Sequence, residues 1–253
     1  KARDDNKIKA VVLRVNSPGG SSLASDLIWR EISITKAKKP IVASMSDLAA
    51  SGGYYISMPC DHIFAQENTI TGSIGVFGMW FNVEKFFEDK LGITSDGVKT
   101  GKFSDLGSPT RELTDFERRI IQSEVDSTYK DFVLKAAKGR KKSYEEIEKV
   151  ASGRVWTGAQ ALQIGLVDKL GGLTEAVAFA ANLAKLKEYD TVYIPDSEGF
   201  FEDLLKSVSE EEENDVEEKM KKDLGELYPY FVYLQKVKKR EGIQARMLDL
   251  DIR

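Results

Sequence analysis

The chain has 253 residues, 42% hydrophobic and 31% charged, the size and balance of one large globular domain or a domain with an appendage. A formal net charge of −4 supplies no basic field, so nucleic acid is not an expected partner. The single cysteine, Cys60, excludes an internal disulfide and any cysteine-built metal cluster, and no apolar run reaches the roughly 20 residues of a spanning helix.

The chain opens at Lys1 rather than Met, close to a strand-like run, and reads as a piece of a longer protein. Lys9 to Val15 is β-branched and almost continuously apolar, as in a buried parallel strand. Asn16-Ser17-Pro18-Gly19-Gly20 is a sharp turn. A helix is predicted over about 22–38, with Leu23, Leu27, Ile28, Ile32 and Ile34 near helical spacing, and Pro40 stops it. Ile41 to Met45 reads as a second strand, and a short helix carrying Tyr54, Tyr55 and Ile56 follows Ala49-Ala50-Ser51-Gly52-Gly53. His62 to Ala65 suggests a third strand. Alternating strands and helices predict a parallel α/β layer.

Residues 69–76 are small and turn-rich, with a helix at about 83–90 and a polar stretch at 94–108. Thr114 is an N-cap for a long helix to about Gly139, with Glu117 at capping-box spacing. Further helices fit at about 144–150, 158–164 and 174–187, and one more strand at 190–195. After Pro195 the composition shifts to the run SEEEENDVEEKMKKD and an aromatic cluster at Tyr228, Tyr230, Phe231 and Tyr233. The expected organisation is a domain over 1–195 and a charged helical extension over 196–253.

Three features bear on chemistry. Ser51 lies among small residues between a strand and a helix. Small neighbours let a substrate backbone approach, and a helix start offers N–H donors to developing negative charge. Alone the motif also fits plain packing. Gly19-Gly20 closes the preceding strand and could turn amides into the same crevice, or simply make a tight turn. A nucleophilic serine needs a base. His62 is the single histidine and reads as structural, whereas a lysine serves if burial lowers its pKa. Lys99 and Lys102 follow the core strands, but neither has an apolar setting.

VVLRVNSPGGS, SDLAASGGYYIS, TITGSIGVFG and GRVWTGAQALQIGLVDKLGG together resemble the signal peptide peptidase A, or protease IV, family, in order from about Lys9 to Leu186. The resemblance implies an α/β crotonase and Clp-protease-like fold, repeated ββα units around a parallel sheet, here without its opening strand. It implies a Ser–Lys serine peptidase that cleaves remnant signal peptides and other hydrophobic segments and needs no cofactor. Its homo-oligomer would be held at a bacterial membrane by a missing amino-terminal segment, with the catalytic part on the extracytoplasmic side. Position by position, Ser51 matches the nucleophile, Gly52 with Gly19 and Gly20 the oxyanion hole, and Ser73 a serine that orients the lysine. Ser104 stands where single-copy members carry that lysine. The chain therefore resembles the carboxyl-terminal copy of the two-copy form, with the lysine supplied from outside; Lys102 is the rival. Ile70, Ile74, Val76 and Phe77 are candidate subsite residues. A crotonase-type acyl-CoA enzyme and a scaffold that has lost its lysine are the competing readings.

Overall fold

The computed structural model describes residues 1–194 and the backbone of 242–246, so the expected extension, apart from that segment, lies outside the described residues. Contacts group residues 3–187 with 241–253 as one unit and 188–240 as a second.

The first unit is α/β. Strand β1 (Val11–Ser17) leads into β2 (Gly19–Ser21) and α1 (Ser22–Lys36), a ββα unit. Then come β3 (Ile41–Ala50), α2 (Gly52–Ser57), β4 (His62–Ala65), β5 (Ile70–Gly72) and β6 (Phe77–Met79). A short α3 (Glu84–Phe86) runs on into a π turn, Phe87–Leu91. The long α4 (Asp115–Arg140), α5 (Tyr144–Glu148), β7 (Val155–Thr157), α6 (Gly158–Gln163), β8 (Lys169–Leu170), α7 (Leu173–Leu183) and finally β9 (Gly242–Arg246) complete it.

The main sheet runs β7-β5-β3-β4-β8, with β1 also on β3. All its pairings are parallel except β5 with β7. β3 is its axis. The first half of β3 pairs β1 and β4, and its second half pairs β5. Between the halves the register jumps: Val15 faces Met45, but Ser17 faces Ala49. Arg14 fills the irregularity, donating to Ser44 Oγ and Ser46 Oγ, each at 2.8 Å, and to the Met45 carbonyl at 3.2 Å. β3 thus reaches Ala50, beyond the expected end at Met45, and delivers Ser51 at its carboxyl tip.

The sheet is buried on both faces, which is why its strands read as unbroken apolar runs. Val42 and Phe64 pack with Ala176 and Ala180 of α7. Ala43, Met45 and Ile63 pack in the larger core with Tyr54, Met58, Phe132 and Val133 of α2 and α4. Two expectations change. On α1, Ile32 is buried, but Leu23 and Leu27 are 69% and 56% exposed, so the apolar spacing there marks a surface as well as a core face. Asp190–Ile194 form no strand; Val192 and Tyr193 stand exposed.

The predicted capping box is present. The Thr114 hydroxyl accepts from Glu117 N, and Glu117 Oε2 accepts from Thr114 N at 2.8 Å. The same carboxylate takes Arg111 Nη2 at 2.6 Å, while Arg111 Nε holds Asp105 at 2.6 Å. This chain of charges ties the 99–111 loop to the start of α4. The guanidinium, then the Thr114 amide, hold the Glu117 carboxyl down at about 2, against an ordinary 4.5. A depressed carboxyl stabilises the fold above its unfolded pKa and loses that contribution as pH falls through the folded value. Glu117→Gln is therefore expected to lower Tm at pH 7. The gap to wild type should close between about pH 5 and pH 2 in thermal melts.

Candidate active site

The end of β1 and the end of β3 are held side by side. Gly19 has φ 100°, a conformation L side chains rarely adopt, so the turn after Pro18 requires glycine. Its amide donates to Ser17 Oγ at 3.1 Å. Against the same strand end lies Gly53 of α2, where an added Cβ would stand 2.5 Å from the Ser17 carbonyl oxygen.

Ser51 sits at φ 53°, ψ −115°, an unusual backbone for a residue other than glycine. Such strain costs about 1–3 kcal/mol and persists where surrounding contacts over-determine it. Here they do. Ser51 N donates to the Gly72 carbonyl at 2.9 Å, its Oγ donates to the Gly75 carbonyl at 3.3 Å, and its own carbonyl accepts from Tyr55 N at 2.8 Å. The residue is fully buried. Gly52 opens α2, and its amide belongs to the first turn, whose N–H groups lack partners within the helix. With six residues, α2 has little macrodipole, so donation comes from individual amides, not from the helix as a whole.

Gly72 to Gly75 wraps this serine. Ser73 lies within the wrap at φ 46°, 5% exposed, and its N donates to the Arg154 carbonyl at 2.8 Å. Gly153 N donates to the Ile74 carbonyl at 2.9 Å. A Cβ on Gly72 would meet Trp156 at 2.7 Å, and one on Gly75 would meet Gly153 at 2.8 Å. The 153–156 segment is thus a buttress for the serine, a role that its sequence did not reveal because most of the contacts are made by backbone.

The other candidates fall elsewhere. His62 starts β4 opposite Val42, roughly 30 Å back along β3 by strand rise, its ring tilted against Phe179 with centroids 4.3 Å apart. Lys99 is ion-paired to Asp105 at 2.6 Å. Lys102 is exposed and lies over the Phe103 ring at 5.4 Å. Ser104 is exposed in the same loop, its hydroxyl on the Gly101 carbonyl at 3.0 Å. Lys135 is partly buried and donates to the Tyr55 hydroxyl at 2.9 Å. Burial alone would lower its pKa, but its bonds to Asp131, Asp26 and Tyr55 hold it raised, the wrong direction for a neutral base. A cavity of about 360 Å³ opens beside the serine's helix, lined by Leu23, Asp26, Tyr55, Val76 and Phe132 among others. Of the expected subsite residues, Val76 borders it, Phe77 lines a second hollow, and Ile74 is packed in the core.

The family model described as peptidase family S49 matches residues 33–187. Protease 4 of Salmonella typhi is 44% identical over 209 residues, covering 82% of this chain and 34% of that protein. Protease 4 of Haemophilus influenzae is 39% identical over 259 aligned residues, covering 98% and 40%. The chain therefore spans about a third to two-fifths of these relatives' length. A ClpP1 mutant from Listeria monocytogenes aligns with a TM-score of 0.44 and 18% identity, over 67% of this chain and 79% of that one.

Proposed function

The chain belongs to peptidase family S49, and from that premise we propose that it is the serine-bearing part of a Ser–Lys endopeptidase. The observation that carries this reading is Ser51: strained, at the carboxyl tip of the central strand, and at the start of α2, whose Gly53 packs on Ser17 at the end of β1.

In this reading a neutral lysine takes the Ser51 proton as Oγ attacks the scissile carbonyl. The oxyanion is held by the Gly52 amide and by the loop at Gly19 and Gly20, the Gly19 amide exchanging Ser17 Oγ for it. The lysine then protonates the leaving amine, and water releases the acyl group from Ser51. Ser73 orients the lysine ammonium. Lys99 is committed to Asp105 and Lys102 to the surface, which supports a lysine from outside these residues, in a second copy of the fold. The substrates are extended peptides with small or aliphatic side chains, remnant signal peptides among them. The assembly is an oligomer at a bacterial membrane, its catalytic part outside the cytoplasm. Among the described residues no helix is long and apolar enough to cross a membrane, so an anchor would lie elsewhere in the protein.

The test is made on the full-length protein with a fluorophosphonate probe and a fluorogenic peptide. The probe is expected on Ser51, and Lys102→Ala is expected to keep kcat/KM within about threefold of wild type. Loss of all activity in Lys102→Ala would move the base into this chain. A protein that leaves Ser51 unlabelled is a scaffold and not a peptidase.

A further inference from the structure

β2 leaves the Gly19 turn and β6 follows the Gly72–Gly75 wrap around the candidate nucleophile, and the two strands do not pair with each other. β9 lies between them, antiparallel to both. Gly19, Gly20 and Ser21 stand opposite Arg246, Ala245 and Gln244, and Phe77, Gly78 and Met79 stand opposite Gln244, Ile243 and Gly242. Five residues from the far end of the chain are thus held by backbone on two edges, with Gln244 opposite a partner on each side. β9 also comes within 8 Å, between Cα atoms, of α2, the helix that starts next to Ser51.

The direction of this strand matters. β2 leaves the Gly19 turn, so an antiparallel neighbour approaches that turn as it runs from amino to carboxyl end. Its carbonyl nearest the Gly19 loop is therefore its last, at Arg246. A substrate's acyl side needs the same polarity, stepping along β2 until its scissile carbonyl reaches the oxyanion donors. Strand addition of this kind draws affinity from main-chain hydrogen bonds and imposes little side-chain demand, so a segment of the chain itself can take the place of a peptide.

We infer that Gly242–Arg246 is a tethered ligand of the slot between β2 and β6, bound in the substrate's direction and competing with peptide substrates. The competition rests on the reading of Ser51 as a peptidase nucleophile; the occupancy does not. A tethered segment acts at an effective concentration in the millimolar range, so a free peptide binds against a standing competitor and KM carries the cost.

The experiment uses the full-length protein, wild type and Ile243→Pro, which removes an amide from the middle strand. Amide exchange at Gly19–Ser21 and Phe77–Met79 is expected to quicken at least tenfold in Ile243→Pro. KM for a fluorogenic peptide should fall at least fivefold, with kcat within twofold. The free peptide Gly-Ile-Gln-Ala-Arg should restore protection and inhibit competitively. In wild type, needing no mutation, a saturating peptide aldehyde should quicken exchange at Gly242–Arg246 while Gly19–Ser21 stay protected. Unchanged exchange in both arms overturns the inference, as does quickened exchange with KM unmoved in an active enzyme. Exchange that quickens as expected in a protein that cleaves nothing and leaves Ser51 unlabelled refutes the peptidase reading, and competition with it, while the strand's occupancy stands.

Discussion

Ser51→Ala in the full-length protein is expected to lower peptide kcat/KM by about 10⁵-fold while leaving the melting temperature within a few degrees. The kinetic scale is that of removing the nucleophile from a serine peptidase, where the remaining oxyanion donors sustain a small residual rate. The small stability change follows from the site. Among the described residues the Ser51 hydroxyl has one bond, to the Gly75 carbonyl at 3.3 Å, and a neutral bond of this length contributes about 1 kcal/mol or less. The backbone at φ 53° is held by Ser51 N on Gly72 and Tyr55 N on Ser51, and alanine keeps both. Titration of activity together with a thermal melt decides the matter. Activity near wild type would remove Ser51 from the chemistry. Activity lost together with the fold would show that the hydroxyl serves packing, and Ser51→Cys would then be needed to separate the roles.

How much of this was legible depended on the range of the interactions. Buried strands announce themselves as apolar runs, so β1, the start of β3 and β4 were readable. The capping box at Thr114 and Glu117 lies within four residues and was readable too. β3 beyond Met45 was not, because Ser46 and Asp47 break the apolar run and the strand survives there through Arg14 and a register jump. β2 and β6 were not readable either: each has three residues, and their pairing depends on β9, more than 160 residues further along the chain. On α1 the spacing of leucines and isoleucines was real, but spacing alone does not say which apolar face is covered. Ser51 was found through its small neighbours and a four-motif resemblance. What those neighbours do was misjudged in part, since Gly53 faces the protein's own β1 and not a bound peptide.

Gly53→Ala is accordingly expected to reduce both stability and turnover, against the ordinary trend for a helix. Replacing glycine by alanine inside a helix gains about 1 kcal/mol from propensity alone. At Gly53 the new methyl would stand 2.5 Å from the Ser17 carbonyl oxygen, closer than real Cβ atoms come, and the neighbour is backbone, which cannot rotate away. Overpacking of this kind costs about 1–3 kcal/mol, so the net is a loss, expected as a Tm lower by about 2–6 °C. The accommodation has a direction: α2 must back away from the end of β1. α2 carries the Gly52 amide, and β1 carries Ser17, whose hydroxyl holds the Gly19 amide at 3.1 Å. The two sides of the proposed oxyanion hole therefore part, and displacement near 1 Å at such a site costs about 10²-fold. The fall should appear in kcat more than in KM. Gly158→Ala separates the causes. Its Cβ would meet the Gln66 carbonyl at 2.0 Å, at the start of α6, with Gln66 and Ala65 as its nearest neighbours, so stability should fall while kcat stays within about threefold. If Gly53→Ala proves more stable than wild type and fully active, α2 is not braced against β1 in the working enzyme, and the pairing of the Gly52 amide with the Gly19 loop loses its structural basis.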